Sequence, residues 1–154
     1  MKKLTHLDVR GEARMVDVSA KPPLVREAIA QGEIHLQPET IALIESSRIA
    51  KGNVLATARL AGILAAKKTG DLIPLCHPLS FTHCEVNFDI PRNRDRILIT
   101  ASAKITAATG VEMEALTAVS VAALTIYDMC KAVDRTMRIT EVRLLSKTKR
   151  RVRA

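Results

Sequence analysis

The chain alternates between stretches whose apolar residues recur every two positions and stretches whose period is near 3.6, the marks of strands and of helices. From 28 to 36 the even positions Ala28, Ala30, Gly32, Ile34 and Leu36 are apolar or small, while Glu27, Gln31, Glu33 and His35 are polar. That predicts a half-buried strand in which Ile29 is the one misfit. Pro38 stands where a first helical turn tolerates proline, and Ile41, Leu43 and Ile44 supply the stripe of a short helix to about Ser46. A second helix is predicted from Asn53 to Lys68, with Asn53 as N-cap, Lys67 and Lys68 suiting the dipole of its last turn, and Gly70 as its stop. A proline-bounded loop, 71–78, follows.

Thr82, Cys84, Val86, Phe88 and Ile90 then alternate with His83, Glu85, Asn87 and Asp89. After the turn Pro91-Arg92-Asn93-Arg94 a second alternating run covers 97–105, so the pair reads as a hairpin with one polar face. Thr109-Gly110-Val111-Glu112 has the T-x-x-E spacing of a capping box and opens a long helix to about Val133, and 139–145 reads as a last strand. The order β-α-α-β-β-α-β predicts an α+β fold, a ferredoxin-like antiparallel sheet with its helices packed on one face. The sheet's other face then needs covering or charge. No internal repeat or low-complexity linker breaks the pattern, which predicts a single domain over 1–154.

Composition narrows the function. At 154 residues and 47% hydrophobic, the chain can bury a core without disulfides or a structural metal. The start, Met1-Lys2-Lys3-Leu4-Thr5-His6, runs into Asp8, Arg10, Glu12 and Arg14 and not into an apolar stretch, so no secretory signal is expected, and no run along the chain is expected to reach the length of a membrane span. Three cysteines, Cys76, Cys84 and Cys130, with no C-x-x-C spacing, argue against a disulfide framework, a cluster or a zinc knuckle and for a reducing, cytoplasmic setting. The net charge is +8, but Lys147, Lys149, Arg150, Arg151 and Arg153 all fall in 147–154, read as a basic, mobile, solvated tail. Phe81, Phe88 and Tyr127 are the only aromatics, so the stacking platforms of an RNA-recognition sheet are missing and a polyanionic small molecule is the better match for the charge.

Several groups could carry chemistry. Asp128 and Lys131, three apart on a helix that is apolar on nearly every side, are either a structural ion pair or a catalytic one, and burial would make such a pair costly unless hydrogen-bonded. Glu112 is a capping-box acid or, with Glu114, a proton-transfer group. His77, fixed between Cys76 and Pro78, is a structural loop residue or a ligand-binding one, and adjacent Cys76 and His77 side chains make a poor metal site. Lys51-Gly52-Asn53 precedes a helix start and could meet a phosphate, without the spacing of a Walker loop. Lys51, Lys67, Lys68, Lys21 and Arg26 are solvated ends unless they converge on one anion.

Taken together, five strings resemble one family. They are Met15-Val16-Asp17-Val18-Ser19-Ala20-Lys21, Lys51-Gly52-Asn53-Val54-Leu55-Ala56-Thr57-Ala58-Arg59, Asp71-Leu72-Ile73-Pro74-Leu75-Cys76-His77-Pro78-Leu79, Thr109-Gly110-Val111-Glu112-Met113-Glu114-Ala115-Leu116 and Thr125-Ile126-Tyr127-Asp128-Met129-Cys130-Lys131-Ala132. From about Leu4 to Lys147 the chain is similar to cyclic pyranopterin monophosphate synthases, the molybdenum cofactor biosynthesis protein C family. The resemblance implies conversion of 3′,8-cyclo-7,8-dihydro-GTP, supplied by a separate radical SAM protein, to the cyclic pyranopterin monophosphate with release of pyrophosphate. It implies no metal and no cofactor.

By the same resemblance Asp128 is the catalytic acid/base with Lys131 and Lys51 as its partners, and Leu75, Cys76, His77, Glu112, Met113 and Glu114 contact substrate. His77, Lys51, Lys67, Lys21, Arg26 and Lys147 are then the candidates for holding the triphosphate. The family's members look like homohexamers, trimers of dimers with sites where subunits meet. Two departures stand out. Lys147-Thr148-Lys149-Arg150-Arg151 has no glycine where the family often has a glycine-rich loop, and Asn53 replaces a commoner aspartate.

Overall fold

Because the core strands pair through small and β-branched residues, two helices can lie close on one sheet face. The computed structural model of the chain describes Asp8 and residues 10–152. The segment Met1 to His6 and Arg153 therefore fall outside the described residues. The elements run β1 (Leu24–His35), α1 (Pro38–Glu45), α2 (Val54–Lys67), α3 (Thr69–Leu72), β2 (His83–Asp89), β3 (Arg96–Ala107), α4 (Glu112–Cys130) and β4 (Arg138–Arg150). All neighbouring strands are antiparallel and ordered β2-β3-β1-β4. This is the predicted ferredoxin-like, split βαβ arrangement, with β3 inserted between β1 and β2.

Register places like against like. Ala28, Ala30 and Ile34 of β1 face Ala103, Ala101 and Ile97 of β3, and all six are buried beneath the helices. Close approach depends on two glycines. A Cβ on Gly32 would lie 2.6 Å from Val119 Cγ1 of α4, and one on Gly62 of α2 would lie 2.8 Å from the Ala118 carbonyl oxygen of α4. Gly62→Ala improves helix propensity by about 1 kcal/mol but forces α2 and α4 apart, an overpacking cost of about 1–3 kcal/mol. The expected result is a melting temperature lowered by several degrees in a thermal denaturation scan; an unchanged or higher value would show that the two helices slide apart freely.

The local readings hold at several points. Pro38 opens α1 at its first turn, and the Asn53 side chain caps α2 by accepting from the Ala56 N–H at 3.0 Å. Others are corrected. Gly70 does not stop α2, which is capped at Lys68; it lies inside the extra turn α3, where a Cβ would come within 3.0 Å of Pro78 Cα. The capping box does not form: Val111 takes the N-cap position without a side-chain bond, and α4 ends at Cys130. Nor is α4 buried all round, since it is one member of a single helix layer and leaves Met113, Leu124 and Asp128 exposed. Its 19 residues are long and apolar enough to cross a membrane by length and composition alone, against the expectation that no run would be, but more than half of it is buried on the sheet.

The basic segment 147–154 is not a tail through its first half. β4 continues to Arg150 because β1 begins at Leu24 and offers a partner that far, pairing Ala28 with Lys147, Arg26 with Lys149 and Val25 with Arg150.

Candidate active site

Loop 73–79 and the start of α4 enclose a cavity of about 380 Å³. Leu75, Cys76, His77, Glu112, Met113, Glu114 and Lys21 line it, joined by Val16, Val18, Leu79, Thr109 and Gly110. The Cys76 N–H closes the loop on the Ile73 carbonyl at 3.0 Å, and His77 Nε2 donates to the Val16 carbonyl at 2.8 Å, which fixes the imidazole against the segment before β1. Val16, Val18 and Gly110 were not recognised from the residues as site formers, although all three stand in the strings that carried the family resemblance.

Glu114 is 3% exposed, and its burial, reinforced by the charge of Glu112, holds its carboxyl above the usual range. Burial, with Glu114 adding to it, also pushes the Cys76 thiol up, so Cys76 is a neutral contact and not a thiolate. A folded-state carboxyl raised above its unfolded value contributes stability fully below the unfolded value, and loses it as pH rises through the folded one. Glu114→Gln is therefore expected to melt higher than the parent at pH 7 to 8, with the gap closing toward pH 4. Thermal melts across that range check it, and a gap independent of pH would overturn the assignment.

At the other end of α4 the Asp128 carboxylate is gripped from two sides. Lys51, in the turn between α1 and α2, donates to Asp128 Oδ2 at 2.7 Å and to its carbonyl at 3.0 Å, and Lys131 reaches Oδ1 at 2.8 Å. The hydrogen bonds from Lys131 and Lys51 lower Asp128 to about 2, and Asp128 in turn raises Lys131. The three side chains are 47%, 55% and 58% exposed, so the pair is not at buried depth as the apolar sequence around it suggests. The reason is its place at the open end of α4, beside a turn.

The segment that follows α4 has an anchor which the sequence did not reveal. Asp134 is buried beneath α1, and burial pushes its carboxyl up, but four donors prevail and hold it below the usual value. Oδ2 accepts from the Gln37 N–H at 2.8 Å and Thr40 Oγ1 at 3.2 Å; Oδ1 accepts from the Thr136 N–H at 2.9 Å and Thr136 Oγ1 at 2.8 Å. Only its D-x-T spacing could have signalled a turn.

The remaining candidates divide. Lys147 meets Glu112 at 3.1 Å beside a second cavity of about 200 Å³, which Arg26 also lines. Arg26 uses Nε and Nη2 on the Ala107 and Ala108 carbonyls, at 3.0 and 2.9 Å, and so shapes the turn before α4. Lys67 joins neither group; from the end of α2 it lines a separate cavity with Phe81, Thr82, His83 and Cys84. Glu114 and Asp128, 14 positions apart on α4, are separated by roughly 20 Å at a helical rise of 1.5 Å. One chain thus holds the predicted residues in two groups at the ends of α4, with Lys67 apart from both.

A ferredoxin-like chain with a buried carboxylate, a fixed histidine and clustered lysines at cavities along one helix has the make-up of an enzyme acting on an anionic small molecule. The match that makes this specific covers residues 15–150: the chain belongs to the MoaC family. It is 55% identical over 148 residues to the cyclic pyranopterin monophosphate synthase of Roseiflexus castenholzii, covering 96% of this chain and 94% of the relative. It is 57% identical over 145 residues to that of Chloroflexus aurantiacus (94% and 89% covered) and 58% identical over 146 residues to that of Desulfitobacterium hafniense (95% and 89% covered).

Proposed function

We propose that the chain is a cyclic pyranopterin monophosphate synthase of molybdenum cofactor biosynthesis, converting 3′,8-cyclo-7,8-dihydro-GTP to cyclic pyranopterin monophosphate and pyrophosphate. Relatives sharing 55% to 58% of its residues over nearly the whole length bear that name. The observation that carries the reading is the carboxylate of Asp128 held between two lysines, Lys51 and Lys131, on the same helix that opens the His77 and Glu114 cavity.

The chemistry divides between the two groups. Opening the guanine five-membered ring and rebuilding it as a pterin moves protons on and off ring nitrogens and carbons, the work of Asp128 and Lys131 with Lys51 beside them. Closing the cyclic phosphate needs a ribose-derived hydroxyl to attack the α-phosphorus. The bond to the β-phosphate oxygen breaks, pyrophosphate leaves, and the hydroxyl proton passes to a base. His77, Lys21, Arg26 and Lys147 would neutralise the triphosphate, and Lys67 would join them only from another copy. Leu75, Cys76, Met113 and the carboxylates Glu112 and Glu114 would frame the pterin.

Two groups roughly 20 Å apart on one helix are poorly placed to act together on one reacting ring, which supports a composite site in which the Asp128 end of one copy meets the Glu114 end of another. Exposed Met113 and Leu124 on α4, with Leu60 and Leu64 on α2, give the apolar surface for that pairing. We extend this to a homohexamer, a trimer of dimers, of single-domain subunits in the cytoplasm, with a radical SAM protein supplying substrate. The test is to incubate the purified oligomer with 3′,8-cyclo-7,8-dihydro-GTP and follow product and pyrophosphate by mass spectrometry. Both should form in equal amounts; an oligomer that forms neither overturns the proposal.

A further inference from the structure

The two cavities at the start of α4 share a wall, because Gly110 and Glu112 line both. The smaller one gathers Arg26, Lys147 and Lys149 with the carboxylates Glu27 and Glu112, and among the described residues the ion pair between these cations and a carboxylate is the one from Lys147 to Glu112. Lys147 is set from strand β4, in register with Ala28. The Glu112 carboxylate is folded back over Gly110, in the space that a Cβ there would need, so it rests where it does only because residue 110 has no side chain.

We infer that Glu112 is a displaceable stopper: a phosphate chain entering the cavity of Arg26, Lys147 and Lys149 takes Lys147 from it, and the freed carboxylate turns into the cavity of His77 and Glu114. The inference rests on the triphosphate reading of the substrate given above. The pair is weak, with Lys147 67% exposed, whereas an oligophosphate brings several charges and more acceptor oxygens to the same ammonium. Glu112 is the far end of a flexible side chain between two cavities, so its movement needs no backbone change. The exchange orders events, since the carboxylate becomes available beside the reacting ring only after the phosphate chain is seated.

Inorganic tripolyphosphate, which fills the cation cavity without being turned over, separates this from catalysis. Titration calorimetry on the intact oligomer should give Glu112→Gln a tripolyphosphate affinity about two- to fivefold above the parent, the span an exposed ion pair allows. Lys147→Gln should bind more weakly than the parent. In the Lys147→Gln background the gain from Glu112→Gln should disappear, because the two residues act through one contact. A gain of equal size in both backgrounds would mean simple charge repulsion and overturn the exchange, as would unchanged or weaker binding by Glu112→Gln alone. Since no product is measured, the affinity order is decided independently of whether the oligomer forms the cyclic pyranopterin.

Discussion

Replacing Asp128 by asparagine is expected to lower product formation by about a thousandfold or more while moving the melting temperature by no more than a degree or two. Asparagine keeps the shape and one acceptor oxygen but removes the charge that Lys51 and Lys131 hold at 2.7 and 2.8 Å. Stability should hardly change, since exposed ion pairs contribute little. Turnover should collapse, because a positioned acid/base is worth about 10²–10⁴ in rate and both lysines lose their orienting anion with it. Asp128 in the free chain lies at about 2, so its contribution to stability is present above the unfolded value and is lost only as pH falls through about 2. It is thus a carboxylate at every ordinary pH, and in the free chain a weak base. Covering it with substrate and a second copy would strip water from the pair and bring its value toward the working range. Turnover by Asp128→Asn within tenfold of the parent, measured by single-turnover product formation, would place the proton transfers elsewhere.

How far the sequence could be read depended on whether a partner was local. β1 and β3 were legible because alternating side chains record which face is buried, and α2 because Asn53 caps its own helix three residues on. The far end of β4 was not legible. Lys147 to Arg150 carry the composition of a solvated tail, and what makes them a strand is backbone pairing with Val25 to Ala28, over a hundred positions away. The T-x-x-E spacing at Thr109 misled for the same reason: the Glu112 carboxylate turns to Lys147 on a different element and not to its own helix start. Asp134 was hidden because a buried carboxylate with four donors looks, in one dimension, like any loop acid. The candidate site residues were named through whole strings resembling a family, and Lys67 shows the limit of that route, since the chain alone leaves it apart from the others.

The two groups on α4 lead to the prediction with the widest consequence. Met113, Leu124 and Asp128 are all exposed along one helix, with the Glu114 cavity at its start and the Asp128 lysines at its end. On the composite-site proposal, two copies related by a twofold axis across that helix would lay one helix start beside the other helix end, and the symmetry would build the same site twice. Asp128→Ala removes one half of every such site and His77→Ala the other half, so each variant alone should be inactive. When the two are coexpressed, or unfolded and refolded together, a mixed pair holds one site with both halves intact and one with neither. Random assembly from equal amounts should then restore roughly a quarter of the parental turnover. A site confined to one chain cannot be rescued this way, because every copy in the mixture carries a damaged half. Activity of the mixture no greater than the sum of the separate variants, with mixed oligomers confirmed by native mass spectrometry, would show that each chain works alone and that the substrate must bridge or choose between the two ends of α4.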